Sequence, residues 1–368
     1  MSFEKIKPLS IEEKVGQLFV IGITGPTIDA PTRDLLERVM PGGVCLFARN
    51  IREASQTRAL LDEIRELSPI EPILCLDQEG GLVDRLRRVV TPMPAPSDVQ
   101  TIEDAAAFGA LVADVVRLLG FNLNFAPVVD LSLESRRSAN NGLFSRTFGR
   151  SPQETIELAG AFLTSMQARG CLGCIKHFPG LGAAAVDSHE ELPSVEIDND
   201  VFENADLLPF RELIAARAAA AVMVAHAAYP KSDLQETDLN GKLLPSSLSY
   251  NFVTHLLRET LGFTGLVFTD DLEMGAILAN YGIADACVRA ANAGNDMLAI
   301  CADGKRIVQG FEAVLAAVAS GEIGEGRVDE SLIRIAELKN KLLPPPAFDQ
   351  AQLASLSADI AIFKDRSK

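Results

Sequence analysis

An α/β chain folded as a single-domain (β/α)8 TIM barrel is the class this sequence predicts, on three observations. Eight short, apolar, β-rich runs recur along the 368 residues. Amphipathic stretches of helical period lie between them. No Gly-x-Gly-x-x-Gly follows the first run, which removes the usual dinucleotide signal of a doubly wound open sheet, the competing architecture. A barrel needs about 250 residues before insertions. With 48% of its residues hydrophobic, the chain has enough to fill a sizeable core.

The elements follow in order. Residues 18–23 and 43–47 are the first two runs, continuously apolar as strands buried on both faces must be. The amphipathic stretch 54–67 leads to run 73–77, which ends in Asp77-Gln78-Glu79-Gly80-Gly81. Stretch 102–119 leads to run 123–130, ending at Asp130. Stretch 152–169 leads to run 172–177, ending in Lys176-His177. Stretch 206–219 leads to run 222–226, ending at His226. Run 266–270 ends in Asp270-Asp271, and stretch 283–293 leads to the last run, 296–301. A closed barrel gathers these polar strand ends at one rim, where barrel active sites lie. Beyond Leu343, Pro344-Pro345-Pro346 stops a helix. The expected organisation is therefore a catalytic domain over residues 1–343 and a tail with one short helix over 344–368. No internal repeat or second domain boundary is visible.

Bulk charge narrows the partners. Thirty-four basic against 50 acidic residues give a net charge of −16. That disfavours nucleic acid, whose backbone needs a basic face, and gives no support to docking on anionic lipid. Residues 1–8 lack the apolar core of a signal peptide. The most apolar stretch, 215–229, carries Arg217 and His226 and is too short to span a bilayer. A soluble, cytoplasmic protein without a membrane segment is expected. The oligomeric state is left open.

Six cysteines stand at 45, 75, 171, 174, 287 and 301, most of them in apolar runs. There a free cysteine behaves as a small hydrophobe. Cys171-Leu172-Gly173-Cys174 matches C-x-x-C, but no second pair follows at zinc-finger spacing. Buried thiols are expected rather than a redox or zinc site.

Two segments carry the chemistry. The first runs from Lys176-His177-Phe178-Pro179-Gly180 to Asp187-Ser188-His189. Asp187 and His189, two apart in a loop, can hydrogen-bond; the carboxylate fixes the imidazole tautomer and raises its basicity, which makes a general acid/base. A turn residue beside a surface histidine is the plainer alternative. The second is Phe268-Thr269-Asp270-Asp271-Leu272. Asp270, at a strand end backed by low-dielectric walls, suits a nucleophile or electrostatic stabiliser. Thr269 or Asp270 could instead cap a following helix, and Asp271 reads as capping or support. Lys176 fits either a Schiff-base amine or a fixed donor to substrate hydroxyls, and His177 beside it favours the donor role. Arg85 and Arg146 add forked donors, with surface salt bridges as their plain alternative. No His-x-His or His-Glu-x-x-His pattern supports a metal, so no metal and no cofactor are expected.

These residues together resemble bacterial β-N-acetylglucosaminidases of glycoside hydrolase family 3. Beside the Lys176–Gly180 and Asp187–His189 segments, the likeness includes Ile11-Glu12-Glu13-Lys14-Val15-Gly16-Gln17 and Asp77-Gln78-Glu79-Gly80-Gly81. It continues through Asn124-Phe125-Ala126-Pro127, Ser145-Arg146-Thr147-Phe148-Gly149, Ala225-His226 with Tyr229-Pro230, and Gly262-Phe263-Thr264-Gly265. The resemblance implies a retaining exo-glycosidase. Asp270 would be the nucleophile, and His189 paired with Asp187 the acid/base. Asp77, Arg85, Arg146, Lys176 and His177 would hold the N-acetylglucosamine ring. The implied substrate is a soluble carbohydrate such as a peptidoglycan turnover fragment.

Three departures accompany the likeness. The family's Pro-Gly-His-Gly-Asp-Thr is here Pro179-Gly180-Leu181-Gly182-Ala183-Ala184, losing three polar side chains from a loop that the small-residue run 182–185 makes mobile in expectation. Leu82 stands where arginine usually follows the double glycine. With no Trp and only three Tyr, aromatic sugar platforms are scarce, which suits a pocket for one terminal sugar rather than a long groove. The alternatives are a related β-glycosidase or glycoside phosphorylase with the same nucleophile, a sugar-binding barrel without turnover, and, more distantly, a Lys176 Schiff-base lyase.

Overall fold

The computed structural model describes residues 9–136, 141–184 and 192–366. Among them, eight parallel strands close into a barrel. They are β1 (Phe19–Gly22), β2 (Gly43–Cys45), β3 (Ile73–Leu76), β6 (Leu123–Asn124), β7 (Leu172–Phe178), β8 (Ala221–Val224), β9 (Leu266–Asp271) and β10 (Met297–Ile300). A two-stranded hairpin, β4 (Gln78–Gly80) and β5 (Val83–Asp84), stands on the rim after β3. Each of the eight predicted runs supplies one barrel strand, and β1 closes the ring against β10 through Phe19↔Leu298. Parallel neighbours need crossovers, and helices such as α1 (Ala54–Leu67), α2 (Ile102–Leu119), α3 (Pro152–Ala168), α4 (Leu208–Ala215) and α5 (Ile283–Ala293) provide them, while α6 (Gly304–Ser320) follows the last strand.

The strand interiors are apolar on both faces because helices cover the outside and packed side chains fill the inside. Val20, Ile73, Leu123, Phe125, Leu172, Met223, Leu266, Phe268 and Met297 make the interior cluster, with Phe125 and Phe268 edge to face at 5.2 Å. Ile335 and Leu338 of α7 (Glu325–Lys339) join that cluster and plug its lower end.

Two expectations change. The run 123–130 is strand only over Leu123–Asn124. Pro127 has no N–H to give a ladder, so beyond it pairing survives as one bridge, Val128↔Lys176, and a 2.8 Å bond from Val129 N–H to Lys176 O. The tail helix is also longer than expected. α8 (Gln350–Arg366) has 17 residues and lies along α2, where Phe363 stacks on Phe108 with centroids 5.8 Å apart. Leu353, Ile360 and Phe363 are buried there, so apolar packing fixes the segment to the barrel flank. Among the described residues no helix is long and apolar enough to cross a membrane.

Candidate active site

The carboxyl ends of the strands surround a cavity of about 360 Å³. Asp77, Arg85, Arg146, Lys176, His177 and Asp270, all expected at the site, line it together. Asp187 and His189 lie outside the described residues.

One wall is a buried ion cluster. Lys176 Nζ lies 2.6 Å from Asp77 Oδ1 and 2.6 Å from Glu79 Oε1. Arg146 grips Glu79 with both arms of its fork, Nε to Oε2 at 2.8 Å and a second nitrogen to Oε1 at 2.9 Å. Arg85 reaches Asp77 at 3.6 Å and lies over the Phe47 ring. Burial alone would neutralise Glu79, but Arg146 and Lys176 overcome it and hold this carboxyl far below the usual range. Burial likewise opposes charge on Lys176, yet Asp77 and Glu79 raise its pKa and keep it an ammonium. A charged amine with two carboxylate partners is a donor rather than a Schiff-base nucleophile, which needs the neutral form.

Glu79 was not singled out from sequence. Its signal was the spacing Asp77-x-Glu79, because alternate residues of an extended segment face the same way. The hairpin that presents it turns at Gly80 and Gly81, both with positive φ (96° and 57°), and a Cβ on Gly80 would stand 2.2 Å from Pro94 O.

Asp130 was likewise only a strand end in the sequence. It is fully buried, and it accepts from the His177 ring Nδ1 at 2.6 Å and from the Leu181 N–H at 2.6 Å. A carboxylate only accepts, so Nδ1 carries the hydrogen and Nε2 is left as the nitrogen not engaged by Asp130. The same carboxylate anchors the start of the 181–184 loop. Asn141 Nδ2 donates to Gly182 O and Ala184 O, and the Tyr229 hydroxyl donates to Gly180 O at 3.0 Å. Up to Ala184, then, the loop is tied by these bonds and closely packed: a Cβ on Gly182 would lie 2.1 Å from Leu131 O, and Ala184 sits in the core. Leu181 supplies an apolar piece of cavity wall.

Opposite this wall is the end of β9. Thr269 does not cap a helix; its hydroxyl accepts the Ala299 N–H at 3.0 Å and ties β9 to β10. Asp270 Oδ1 accepts the Asp271 N–H at 2.8 Å. Burial would raise the Asp270 pKa, but His177, His226, that N–H and Lys176 together hold it below the ordinary value, so Asp270 is a carboxylate at neutral pH. Asp271 Oδ1 accepts the Glu273 N–H at 3.0 Å in a local turn, the supporting role read from sequence. Burial pushes the Asp271 carboxyl up to about 7.

His226 is locked away from this chemistry. Its Nδ1 lies 2.7 Å from the Ser247 hydroxyl and its Nε2 3.1 Å from the Asp271 carbonyl. The carbonyl requires Nε2–H, and burial lowers the ring's pKa against the pull of Asp270. Among the described residues no group of three or more His, Cys, Asp or Glu is arranged to hold a metal ion.

The cavity therefore sets an ionised carboxylate across from a fixed array of ammonium, guanidinium and imidazole donors. Comparisons with known proteins give the family. Residues 10–338 match the family model described as the glycosyl hydrolase family 3 N terminal domain. The chain is 32% identical over 342 residues to β-hexosaminidase A of Pseudoalteromonas piscicida, covering 86% of this chain and 56% of that protein. It is 37% identical over 288 residues to a β-hexosaminidase of Pseudomonas aeruginosa, covering 77% of this chain and 82% of that one. A solved glycoside hydrolase family 3 β-N-acetylglucosaminidase from Paenibacillus sp. str. FPU-7 superposes with a TM-score of 0.87 at 32% identity, covering 97% of this chain and 69% of that one.

Proposed function

The chain belongs to glycosyl hydrolase family 3 and groups there with the β-hexosaminidases, and on that premise we propose that it removes terminal β-linked N-acetylglucosamine by a retaining mechanism. The observation that carries this reading is Asp270, an ionised carboxylate at the end of β9, facing the cavity opposite the Lys176–Asp77–Arg85 array.

In the first step the Asp270 carboxylate attacks the anomeric carbon while the glycosidic oxygen leaves with a proton from His189, whose partner is Asp187. In the second, the neutral imidazole takes a proton from water, which attacks the same carbon and frees Asp270. Asp77, Arg85, Arg146, Lys176 and His177 are the sugar-holding groups. Asp77 contributes acceptor oxygens for ring hydroxyls, and the cations fix its position. Arg146 acts through Glu79, which its fork holds in place against Lys176.

About 360 Å³ suits one terminal sugar, so the action is exo. Soluble glycoconjugates, peptidoglycan turnover fragments in particular, are the proposed substrates. The cytoplasm, where such fragments are recycled, is the proposed location. The proposed organisation is a catalytic domain over residues 1–343 with 344–368 as an appended tail.

The test is hydrolysis of p-nitrophenyl β-N-acetylglucosaminide beside the β-glucoside, with and without phosphate, followed by NMR of the first anomer formed. Release from the N-acetyl substrate as the β-anomer, lost in Asp270→Ala, is the expected result. Equal release from the glucoside would make the protein a broader β-glycosidase, and dependence on phosphate would make it a phosphorylase. No release by folded protein would sink the reading.

A further inference from the structure

Of the cations on the sugar-holding wall, one is oriented by no hydrogen bond among the described residues. Lys176 and Arg146 are fixed by contacts of 2.6 to 2.9 Å. Arg85 differs. Its ion-pair contact, to Asp77 Oδ2, is 3.6 Å long, beyond hydrogen-bond distance. Its Nε is buried and makes no hydrogen bond. The backbone around it is pinned all the same. Asp84 Oδ1 accepts the Leu86 N–H at 3.1 Å and the Gln78 side-chain amide at 2.9 Å. What remains to be set is the direction of the Arg85 side chain, which is 28% exposed and lines the cavity.

An aromatic ring meets that side chain. Phe47 follows β2 and lines the same cavity. The guanidinium carbon of Arg85 lies 5.5 Å from the Phe47 ring centroid, and that of Arg49 lies 4.7 Å from it. A ring quadrupole attracts a cation within about 6 Å of its centroid, and a planar guanidinium stacks on such a face. The ring is itself held. The Phe47 N–H donates to Asn50 Oδ1 at 2.9 Å, and Asn50 Nδ2 donates to Ile23 O at 2.9 Å and Gly25 O at 2.8 Å. Arg49 Nε donates to Ile23 O at 3.1 Å, and its fork also donates to Cys301 O. Ile23 and Cys301 follow β1 and β10, so Arg49 sits across the seam where the barrel closes. A chain of contacts thus runs from the seam through Arg49 and Phe47 to Arg85. Phe125, the other aromatic lining the cavity among the described residues, is buried edge to face with Phe268.

We propose that Phe47 is a positioning residue for Arg85: its ring, steadied by Arg49, sets the direction of the Arg85 guanidinium, so that donors the protein leaves unused are presented to the hydroxyls of the bound sugar. This rests on the reading of the cavity as an N-acetylglucosamine site. A donor already set in place loses less side-chain freedom on binding than one the sugar must order. Stacking also suits the task, because the ring takes the face of the guanidinium while its N–H groups donate in the plane. Phe47 acts through Arg85 on sugar binding and not at the reacting carbon, which Asp270 attacks. Its loss therefore falls on KM rather than kcat.

The test titrates N-acetylglucosamine against the full chain by thermal shift, which reports Kd and folding together and needs no turnover. KM and kcat on p-nitrophenyl β-N-acetylglucosaminide are measured beside it. Phe47→Leu keeps apolar bulk and removes the π face. It should weaken sugar binding and raise KM by about three- to thirtyfold, with kcat changed by less than about twofold. Phe47→Tyr keeps the ring and should restore both. In an Arg85→Met background the same Phe47→Leu change should add less than about twofold, because the ring then has no guanidinium to set. Phe47→Met, also without a π face, is read in the same way where the leucine variant does not fold. Unchanged binding in folded Phe47→Leu overturns the proposal. So does a full effect of that change without Arg85, which would make the ring a direct sugar contact or plain packing. Absence of sugar binding by the wild-type chain overturns it too. Binding with the expected pattern but no turnover supports it and sinks the glycosidase reading alone.

Discussion

Lys176 places its ammonium 2.6 Å from Oε1 of Glu79, both side chains almost wholly withdrawn from water. Neither charge is stable alone at that depth. Arg146 takes the remaining face of Glu79, and Asp77 takes a second position on Lys176, so the cluster satisfies itself before any substrate arrives. Glu79→Ala should therefore remove about 3–5 kcal/mol of stability by leaving two buried cations short of a partner. The conservative Glu79→Gln should lose less stability and chiefly raise KM, as Lys176 and Arg146 turn toward Asp77. Thermal unfolding and steady-state kinetics check both; an unchanged melting temperature for the alanine variant would show that the cluster contributes nothing net.

Asp271 titrates near 7 because burial disfavours its charge, and it adjoins Asp270 in the chain. Below that pH it is protonated and Asp270 is the lone negative charge at the strand end; above it a second carboxylate repels charge on the first. The pH profile of kcat/KM should carry an inflection close to 7 that Asp271→Asn removes. An identical inflection in that variant would assign the titration to another group.

His189→Ala should slow substrates with poor leaving groups by about 10²–10⁴ more than aryl glycosides, since only the former need a proton donor. Parallel kinetics on a chitobiose-type substrate and a nitrophenyl glycoside read this directly. Equal loss on both would remove His189 from the acid/base role.

Lys339 is buried at the closed end of the barrel, where Gln17 Oε1 accepts from its Nζ at 2.8 Å. Burial lowers its pKa to about 7 from the ordinary 10.5, only partly opposed by Glu71. Between those values the unfolded chain binds the extra proton, so this group makes stability rise as pH increases from 7 to 10.5. Below 7 the folded lysine is protonated too and the penalty is complete. Lys339→Met should raise stability at pH 7 by about 1–3 kcal/mol and flatten that slope. Denaturant melts at pH 7 and 10 are the check, and a steeper slope in the variant would contradict the burial argument.

The sequence by itself determined the barrel. Eight apolar runs alternate with amphipathic stretches because strands buried on both faces admit little else, and that periodicity is local. It also placed Asp77, Lys176, His177 and Asp270 at strand ends, where one rim must collect them. The end of the fourth run was misread because Pro127 breaks the ladder while the chain stays apolar, so hydrophobicity and hydrogen bonding part company there. What only the tertiary structure decided is pairing across distant segments. Glu79 meets Lys176 and Arg146, Asp130 aims the His177 ring and pins the loop start, and Gly22 lets the backbone at Cys301 pass close against β1. Each of these depends on strand register and barrel closure. Those are set by the packing of the whole ring, and no window of sequence around any one residue contains them.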